Sequence, residues 1–343
     1  MQVAVTGVSG FVGSEVARAL LDRGYMVHGT VRDPENGAKT DSLVSLDGAD
    51  KRLRLFAADL MKPDGFVEAF TGCDVVMHVA SPYVIDVDDA QRDLVDPAVT
   101  GTLNVLNAAD AAGVKRVVQT SSVAAISDEF EDRPYTEADW NVLSSLARNP
   151  YSYSKVLAER AAWDLVESRS PSFDLVVVNP SAVFGPSLVP GLNTTNRIVA
   201  DLLTGGVYPA IVALSFPSVD VRDVAEAHVR AAEMSSATGR YICSASTISM
   251  ERTVAVLKEN GFDGYKLPKL KLTSSLGTFV TRQLARFQPP GMRSLLETTL
   301  GRTIRLDTSK IRADLGMEFR AIEDTLVETA EDVVRWGHVG AQP

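Results

Sequence analysis

The sequence predicts an α/β protein, a doubly wound parallel sheet joined to a smaller, discontinuous second region. Three observations carry this prediction. Short apolar runs rich in Val alternate with helix-period patterns through the first half of the chain, as in parallel strands buried on both faces. The first run turns at once into a glycine-spaced segment that opens a helix. After residue 180 clusters of Pro and Gly interrupt the rhythm, which marks inserted segments.

The strands expected are 2–6, 26–32, 53–57, 74–80, 115–121 and 173–179. Between the first two, Val12, Val16, Ala19 and Leu20 fall at i, i+4, i+7 and i+8, a stripe that packs a helix on the sheet, and Gly24 ends it. Crossovers between parallel strands are right-handed and ligands bind beyond the carboxyl ends, so chemistry is sought there. Beyond Pro180, a cluster of Pro186, Pro190 and Gly191 and a less periodic, Thr-, Ser-, Pro- and Gly-rich stretch over 244–304 read as inserted segments. Between them, Pro217 to Val229 resumes a strand-then-helix rhythm. The expected division is therefore 1–180 with 218–243 and about 305–338 in one unit, and 181–217 with 244–304 in the other.

With 343 residues, 45% of them apolar, the chain can bury a substantial core, and its mean hydropathy of +0.03 excludes disordered and collagen-like classes. Its 34 basic and 44 acidic residues leave a net charge of −10 and a pI near 5.0, which argues against a nucleic-acid partner. No apolar run approaches the roughly 20 residues of a membrane span, and the first, Val3-Ala4-Val5, meets glycine at once, so no signal peptide is expected. Cys73 and Cys243 are too few for a disulfide framework and too isolated for a zinc site, so the expectation is a reducing, cytoplasmic setting.

The glycine segment is Thr6-Gly7-Val8-Ser9-Gly10-Phe11-Val12-Gly13. At this spacing Gly7 permits the tight turn, Gly10 lets a pyrophosphate reach the backbone, and Gly13 allows helix and strand to pack closely. The backbone of Ser9, Gly10, Phe11 and Val12 then meets the phosphates at a helix N-terminus. A dinucleotide is expected, and with it a Rossmann-type sheet. Strand two ends in Thr30-Val31-Arg32-Asp33-Pro34, with Arg32 where an NAD-preferring site usually carries an acid. A guanidinium suits a ribose 2′-phosphate. Lys39 adds a second positive charge, so the cofactor expected is NADP(H).

In Asn149-Pro-Tyr-Ser-Tyr-Ser-Lys155, Tyr151 and Lys155 lie at i and i+4 on one face of a helix that continues through Leu165. A tyrosine titrates near ~10, and a neighbouring ammonium favours its phenolate, which makes the pair a proton donor for a carbonyl oxygen. Tyr153 faces away from Lys155 and reads as a wall residue. The second Tyr-x-x-x-Lys, Tyr265 to Lys269, contains Pro268 and does not form a regular helix. Strand five ends in Thr120-Ser121-Ser122. A hydroxyl there can bond a substrate carbonyl, and strand alternation turns only one of the two serines inward.

Together the glycine segment, Ser122, Tyr151-x-x-x-Lys155 and Asn179-Pro180-Ser-Ala-Val-Phe-Gly185-Pro186 resemble the extended short-chain dehydrogenase/reductases. Thr30-Val-Arg-Asp-Pro34, Ala58-Asp-Leu60, His78-Val-Ala-Ser-Pro82 and Leu306-Asp-Thr-Ser-Lys310 narrow the resemblance to the dihydroflavonol reductase and cinnamoyl-CoA reductase branch, which includes microbial carbonyl reductases. The resemblance implies Ser122, Tyr151 and Lys155 as catalytic residues, with Lys155 also on the ribose. It places Asp59 and Leu60 at the adenine, Ala80 on the nicotinamide side, and Pro180 and Ser181 beside the nicotinamide amide. It also implies 2′-phosphate contacts from Arg32 and Lys39. Three departures stand out. Ser127 replaces the Asn that holds ring hydroxyls in dihydroflavonol reductases, which speaks against a flavonoid substrate. The Asn-Trp-Tyr-Cys-x-x-Lys pattern of plant cinnamoyl-CoA reductases is absent. Ala98 stands where many extended members carry Asn.

The reading is an NADPH-dependent reductase taking an aldehyde or ketone to the alcohol. Its pocket walls are expected from 82–90, 127–150, 181–217 and part of 244–300. The alternatives are a nucleotide-sugar epimerase or dehydratase, a hydroxysteroid dehydrogenase, or a non-catalytic NADP(H) sensor. No metal is expected: His78 and His228 have no ligand-spaced partners and read as packed histidines. Asp128-Glu-Phe-Glu-Asp132 reads as solvated surface. The partner expected is a small-molecule carbonyl compound, with neither nucleic acid nor membrane, the chain being a monomer or homodimer.

Overall fold

The computed structural model of the protein describes residues 1–81, 89–206, 209–287, 293, 296 and 299–340. Seven parallel strands form its main sheet: β1 (Gln2–Thr6), β2 (Met26–Val31), β3 (Leu53–Ala57), β4 (Val75–His78), β5 (Arg116–Thr120), β6 (Asp174–Pro180) and β10 (Gly239–Cys243). Their order is β10-β6-β5-β4-β1-β2-β3. The chain steps outward from β1 to β3, then returns to place β4 on the other side of β1. That reversal opens a crevice at the carboxyl ends of β1 and β4, the place where doubly wound sheets bind ligands.

Alternation explains why these strands read as nearly continuous apolar runs. Val3 and Val5 of β1, Val75 and Met77 of β4, Val118 of β5, and Val176 and Val178 of β6 all enter one core, with α1 (Phe11–Asp22) and α8 (Val221–Glu233). Their neighbours Ala4, Val76, Val117, Leu175 and Val177 enter the opposite core, with α4 (Phe66–Phe70), α5 (Asp96–Ala111) and α6 (Pro150–Arg169). Each large side chain so buried contributes about 2 kcal/mol, which makes the register hard to slip.

A separate apolar cluster surrounds α7 (Thr194–Thr204) and α9 (Met250–Leu257). Two small sheets accompany it: β7 (Ala182–Phe184), β9 (Ser215–Asp220) and β11 (Ser246–Ser249) in one, β8 (Ala210–Val212) and β12 (Leu270–Leu272) in the other. The stretch over 244–304 is more regular than its composition suggests, since it also holds α10 (Ser275–Leu284). Its helices are short, and Ser249 and Ser274 cap them through the amides of Arg252 and Gly277, so residues that read as loop are helix starts. The strand-then-helix rhythm from Pro217 becomes β9 and α8: β9 joins the smaller sheet, while α8 packs on α1. Helix Ser309–Leu315 packs on β10 and α8, whereas Ile322–Arg335 packs on α7 and α9. A division of the chain into two units, which we propose on these contacts, therefore assigns 322–335 to the second.

Candidate active site

β1 delivers the chain to Gly7, whose φ of +65° is open to glycine at little cost. A Cβ there would stand 2.9 Å from the Ala80 methyl, and one on Gly13 would overlap the Gly7 carbonyl oxygen. The Gly7 carbonyl instead accepts from the Gly10 amide at 2.9 Å, closing the turn. Gly10 is the N-cap of α1 and offers no side-chain cap, so the amides of the first turn around Phe11 and Val12 remain to meet an anion. Ser9, Phe11 and Val12 are half-buried at this edge.

Thr6 braces the turn from beneath. Its hydroxyl accepts from the Ala80 amide at 3.0 Å and lies 2.9 Å from His78 Nδ1. Burial holds His78 down to about 3, with the Lys155 charge adding to the effect, so the imidazole is neutral. His228 is equally enclosed, its Nδ1 2.7 Å from the Val224 carbonyl and its Nε2 2.7 Å from Thr120 Oγ1. Both histidines therefore brace the carboxyl ends of strands.

Arg32 follows β2 directly and Lys39 lies in α2 (Gly37–Val44), both exposed. Neither makes an ion pair or side-chain hydrogen bond among the described residues. Asp59 and Leu60 follow β3: the Asp59 carboxylate accepts from the Met61 amide at 2.9 Å, and Asn104 Nδ2 donates to the Leu60 carbonyl at 2.8 Å. Pro180 ends β6, and Ser181 donates its amide to the Cys243 carbonyl at 3.0 Å. Among the described residues the buried Ser181 hydroxyl has no hydrogen-bond partner, an orphan that a ligand amide would satisfy. The glycine cradle, the two uncompensated cations and this orphan hydroxyl fit a phosphorylated dinucleotide.

α6 starts where Asn149, in the left-handed region at φ +53°, accepts from the Ser152 amide and Pro150 takes the first helical position. This sets Tyr151 in the first turn and Lys155 one turn on. The Lys155 ammonium lies 5.6 Å from the Tyr151 ring centroid and donates to Ser81 Oγ at 2.7 Å. Burial pushes Lys155 down to about 8, opposed by the carboxylate of Glu159 on the next turn. Tyr153 is half-buried away from the lysine, and Tyr265, in no helix, packs on Phe262.

The structure separates the hydroxyls at the end of β5. Thr120 is taken by His228, and Ser121 donates to Glu159 at 2.5 Å. Ser122 is half-exposed, and its Oγ accepts from the Ala124 amide at 3.1 Å, leaving its own proton to give. The hydrogen bond of Lys155 to Ser81 and the carboxylate of Glu159 one turn along the helix from it are absent from the sequence reading. A four-residue spacing on one helix was the available signal for the second.

Asp128 departs from the expectation of a solvated acidic run. It is buried, accepts from Ser144 Oγ at 2.5 Å and lies 3.8 Å from Arg148 Nε, because the loop between Ser122 and Tyr151 folds back on it. Of the expected pocket walls, 82–88, 207–208, 288–292, 294–295 and 297–298 lie outside the described residues. Among the described residues, no helix is long and apolar enough to cross a membrane.

A parallel sheet of this order, with a glycine turn at its first strand feeding a helix, defines a Rossmann-type dinucleotide-binding protein. The chain belongs to the NAD dependent epimerase/dehydratase family, which matches residues 3–243. It is 43% identical over 268 residues to a cinnamoyl-CoA reductase of Medicago truncatula, covering 75% of this chain and 80% of that protein. It is 36% identical to cinnamoyl-CoA reductase 1 of Petunia hybrida, covering 98% and 93%. Among solved structures it resembles the yeast methylglyoxal/isovaleraldehyde reductase complexed with NADPH, with a TM-score of 0.80 and 29% identity over 98% of this chain and 99% of that one.

Proposed function

We propose that this protein is an NADPH-dependent reductase that takes an aldehyde or ketone to the alcohol, with Ser122, Tyr151 and Lys155 at the reacting centre. The observation that carries the reading is the placement of Tyr151 and the buried Lys155 on one face of α6, with Ser122 as the hydroxyl at the end of β5 that has a proton to give. The named relatives are reductases, and the yeast one holds NADPH.

Gly7, Ser9, Gly10, Phe11, Val12 and Gly13 would hold the pyrophosphate, Arg32 and Lys39 the 2′-phosphate, Asp59 and Leu60 the adenine side, and Ala80, Pro180 and Ser181 the nicotinamide. NADPH bound there would supply a hydride, a proton with two electrons, to the carbonyl carbon. Ser122 donates a hydrogen bond to the carbonyl oxygen and orients it. As the C=O π bond opens, Tyr151 gives its phenolic proton to that oxygen, forming the new O–H bond. Lys155 then stabilises the tyrosinate and holds the ribose through its remaining N–H donors. Solvent returns the proton to Tyr151. Exposed and unpaired among the described residues, Arg32 and Lys39 favour this reading over an NAD-retaining epimerase. The substrate is a small molecule, and the buried free thiols Cys73 and Cys243 fit a reducing cytoplasm.

The test is loss of NADPH absorbance across a panel of aliphatic and aromatic aldehydes, α-keto esters, a dihydroflavonol and a cinnamoyl thioester. Turnover on one carbonyl class is expected. NADPH binding without turnover on any member overturns the reductase reading.

A further inference from the structure

Glu159 stands one turn beyond Lys155 and two beyond Tyr151 on the same face of α6, fully buried. Its carboxylate accepts from four donors. Ser121 Oγ at 2.5 Å and Asn179 Nδ2 at 2.8 Å meet Oε2, while Arg240 Nε at 2.5 Å and Trp163 Nε1 at 3.4 Å meet Oε1. These partners come from the ends of β5 and β6, from β10 and from α6 itself. Arg240 continues the chain of contacts: its Nη1 donates to the carbonyls of Glu137 at 2.9 Å and Asp139 at 2.6 Å, and its guanidinium lies 4.0 Å from the Trp140 ring centroid. Residues 137–140 belong to the loop that joins Ser122 to Tyr151.

A buried ion pair adds little stability over apolar residues of the same volume, because desolvation offsets the attraction. Its placement matters more. The titratable groups around Lys155 are Tyr151 and Glu159 on α6 and the neutral His78 on β4, with Arg240 on β10 behind Glu159. Ser81, which takes the ammonium's proton in a hydrogen bond, carries no charge. Glu159, buried one helical turn from Lys155 on the same face of α6, is the carboxylate placed to act on the lysine.

We propose that Glu159 and Arg240 form a positioning pair for the reacting centre: the carboxylate keeps the buried Lys155 an ammonium, and the guanidinium tempers that field while tying the 123–149 loop to it. This rests on the reading of Tyr151 and Lys155 given above. The pair touches neither substrate nor cofactor and acts through the lysine. Its signature is a pair of opposite shifts. Glu159→Gln removes the anion and leaves an uncompensated cation behind it, so Lys155 gives up its proton more easily. Arg240→Gln leaves an anion still held by Ser121 and Asn179, so Lys155 keeps its proton to higher pH.

The experiment titrates Lys155 directly, by ¹³C NMR of protein labelled at the lysine ε-carbon, with the resonance assigned by its loss in Lys155→Arg. The expected midpoint falls by about one unit in Glu159→Gln and rises in Arg240→Gln. The pH above which kcat/KM declines moves the same way in each. The double variant Glu159→Gln/Arg240→Gln, which leaves no unpaired buried charge, lies below the wild type by less than Glu159→Gln does. Midpoints that stay at the wild-type value, or that move in one direction in both single variants, overturn the proposal. Should neither single variant fold, an unmoved midpoint in the double variant does so. The titration needs no catalysis, so a wild type that reduces no carbonyl refutes the reductase reading and leaves this test standing.

Discussion

Two buried neutral histidines make the stability of this protein pH-dependent, and His228 offers the cleaner case. Burial lowers it from 6.5 to about 4, against a smaller opposing effect of its bond to the Val224 carbonyl. Because the folded value lies below the unfolded one, the unfolded chain binds the extra proton between these limits. The histidine's contribution is therefore complete above about 6.5 and is lost as pH falls towards 4. At 1.36 kcal/mol per unit, the loss at pH 5 is about 2 kcal/mol, approaching about 3.4 kcal/mol below pH 4. Other groups titrate in the same window, so the variant His228→Gln isolates this one. Urea unfolding of wild type and variant between pH 8 and pH 5 should show their stability difference changing by about 2 kcal/mol, the wild type losing ground as acid is added. A difference that stays constant across that range would refute the assignment of a neutral, enclosed His228.

Further consequences concern the cofactor and the hydroxyls. Arg32→Glu should weaken NADPH relative to NADH by 10-fold or more, on the order of 1.5–3 kcal/mol for a charged hydrogen bond, read as the ratio of the two KM values; an unchanged ratio removes Arg32 from the 2′-phosphate site. Gly13→Ala should abolish dinucleotide binding or folding, because its Cβ meets backbone rather than a yielding side chain; native NADPH affinity measured by fluorescence titration would contradict this. Ser122→Ala should lower kcat by roughly 10²-fold with little change in melting temperature, whereas Ser121→Ala, which strips a bond from the buried Glu159, should lower the melting temperature first.

Much of this was legible in the chain itself, for a physical reason. Strands buried on both faces leave a local trace in composition, so β1 to β6 lie within two residues of where the Val-rich runs put them. The glycine turn and the Tyr151–Lys155 spacing are equally local. β10 was less visible: Gly-Arg-Tyr-Ile-Cys carries Arg240, which reads as solvent-facing until its partner, 81 residues away, is known. Asp128 failed in the same manner, since its burial depends on Ser144 and Arg148 folding back across it. The competition between Ser121 and Ser122 could not be decided by alternation alone, because the deciding contact comes from α6. What pattern misses here is polar pairing between distant segments, which has no period.

The central claim is that Tyr151 supplies the proton for carbonyl reduction. The most direct test compares wild type and Tyr151→Phe for NADPH affinity and for turnover on the best substrate of the carbonyl panel. The account predicts unchanged folding, NADPH binding within a few-fold, and a loss in kcat of about 10²-fold or more. Near-native turnover by Tyr151→Phe would contradict it.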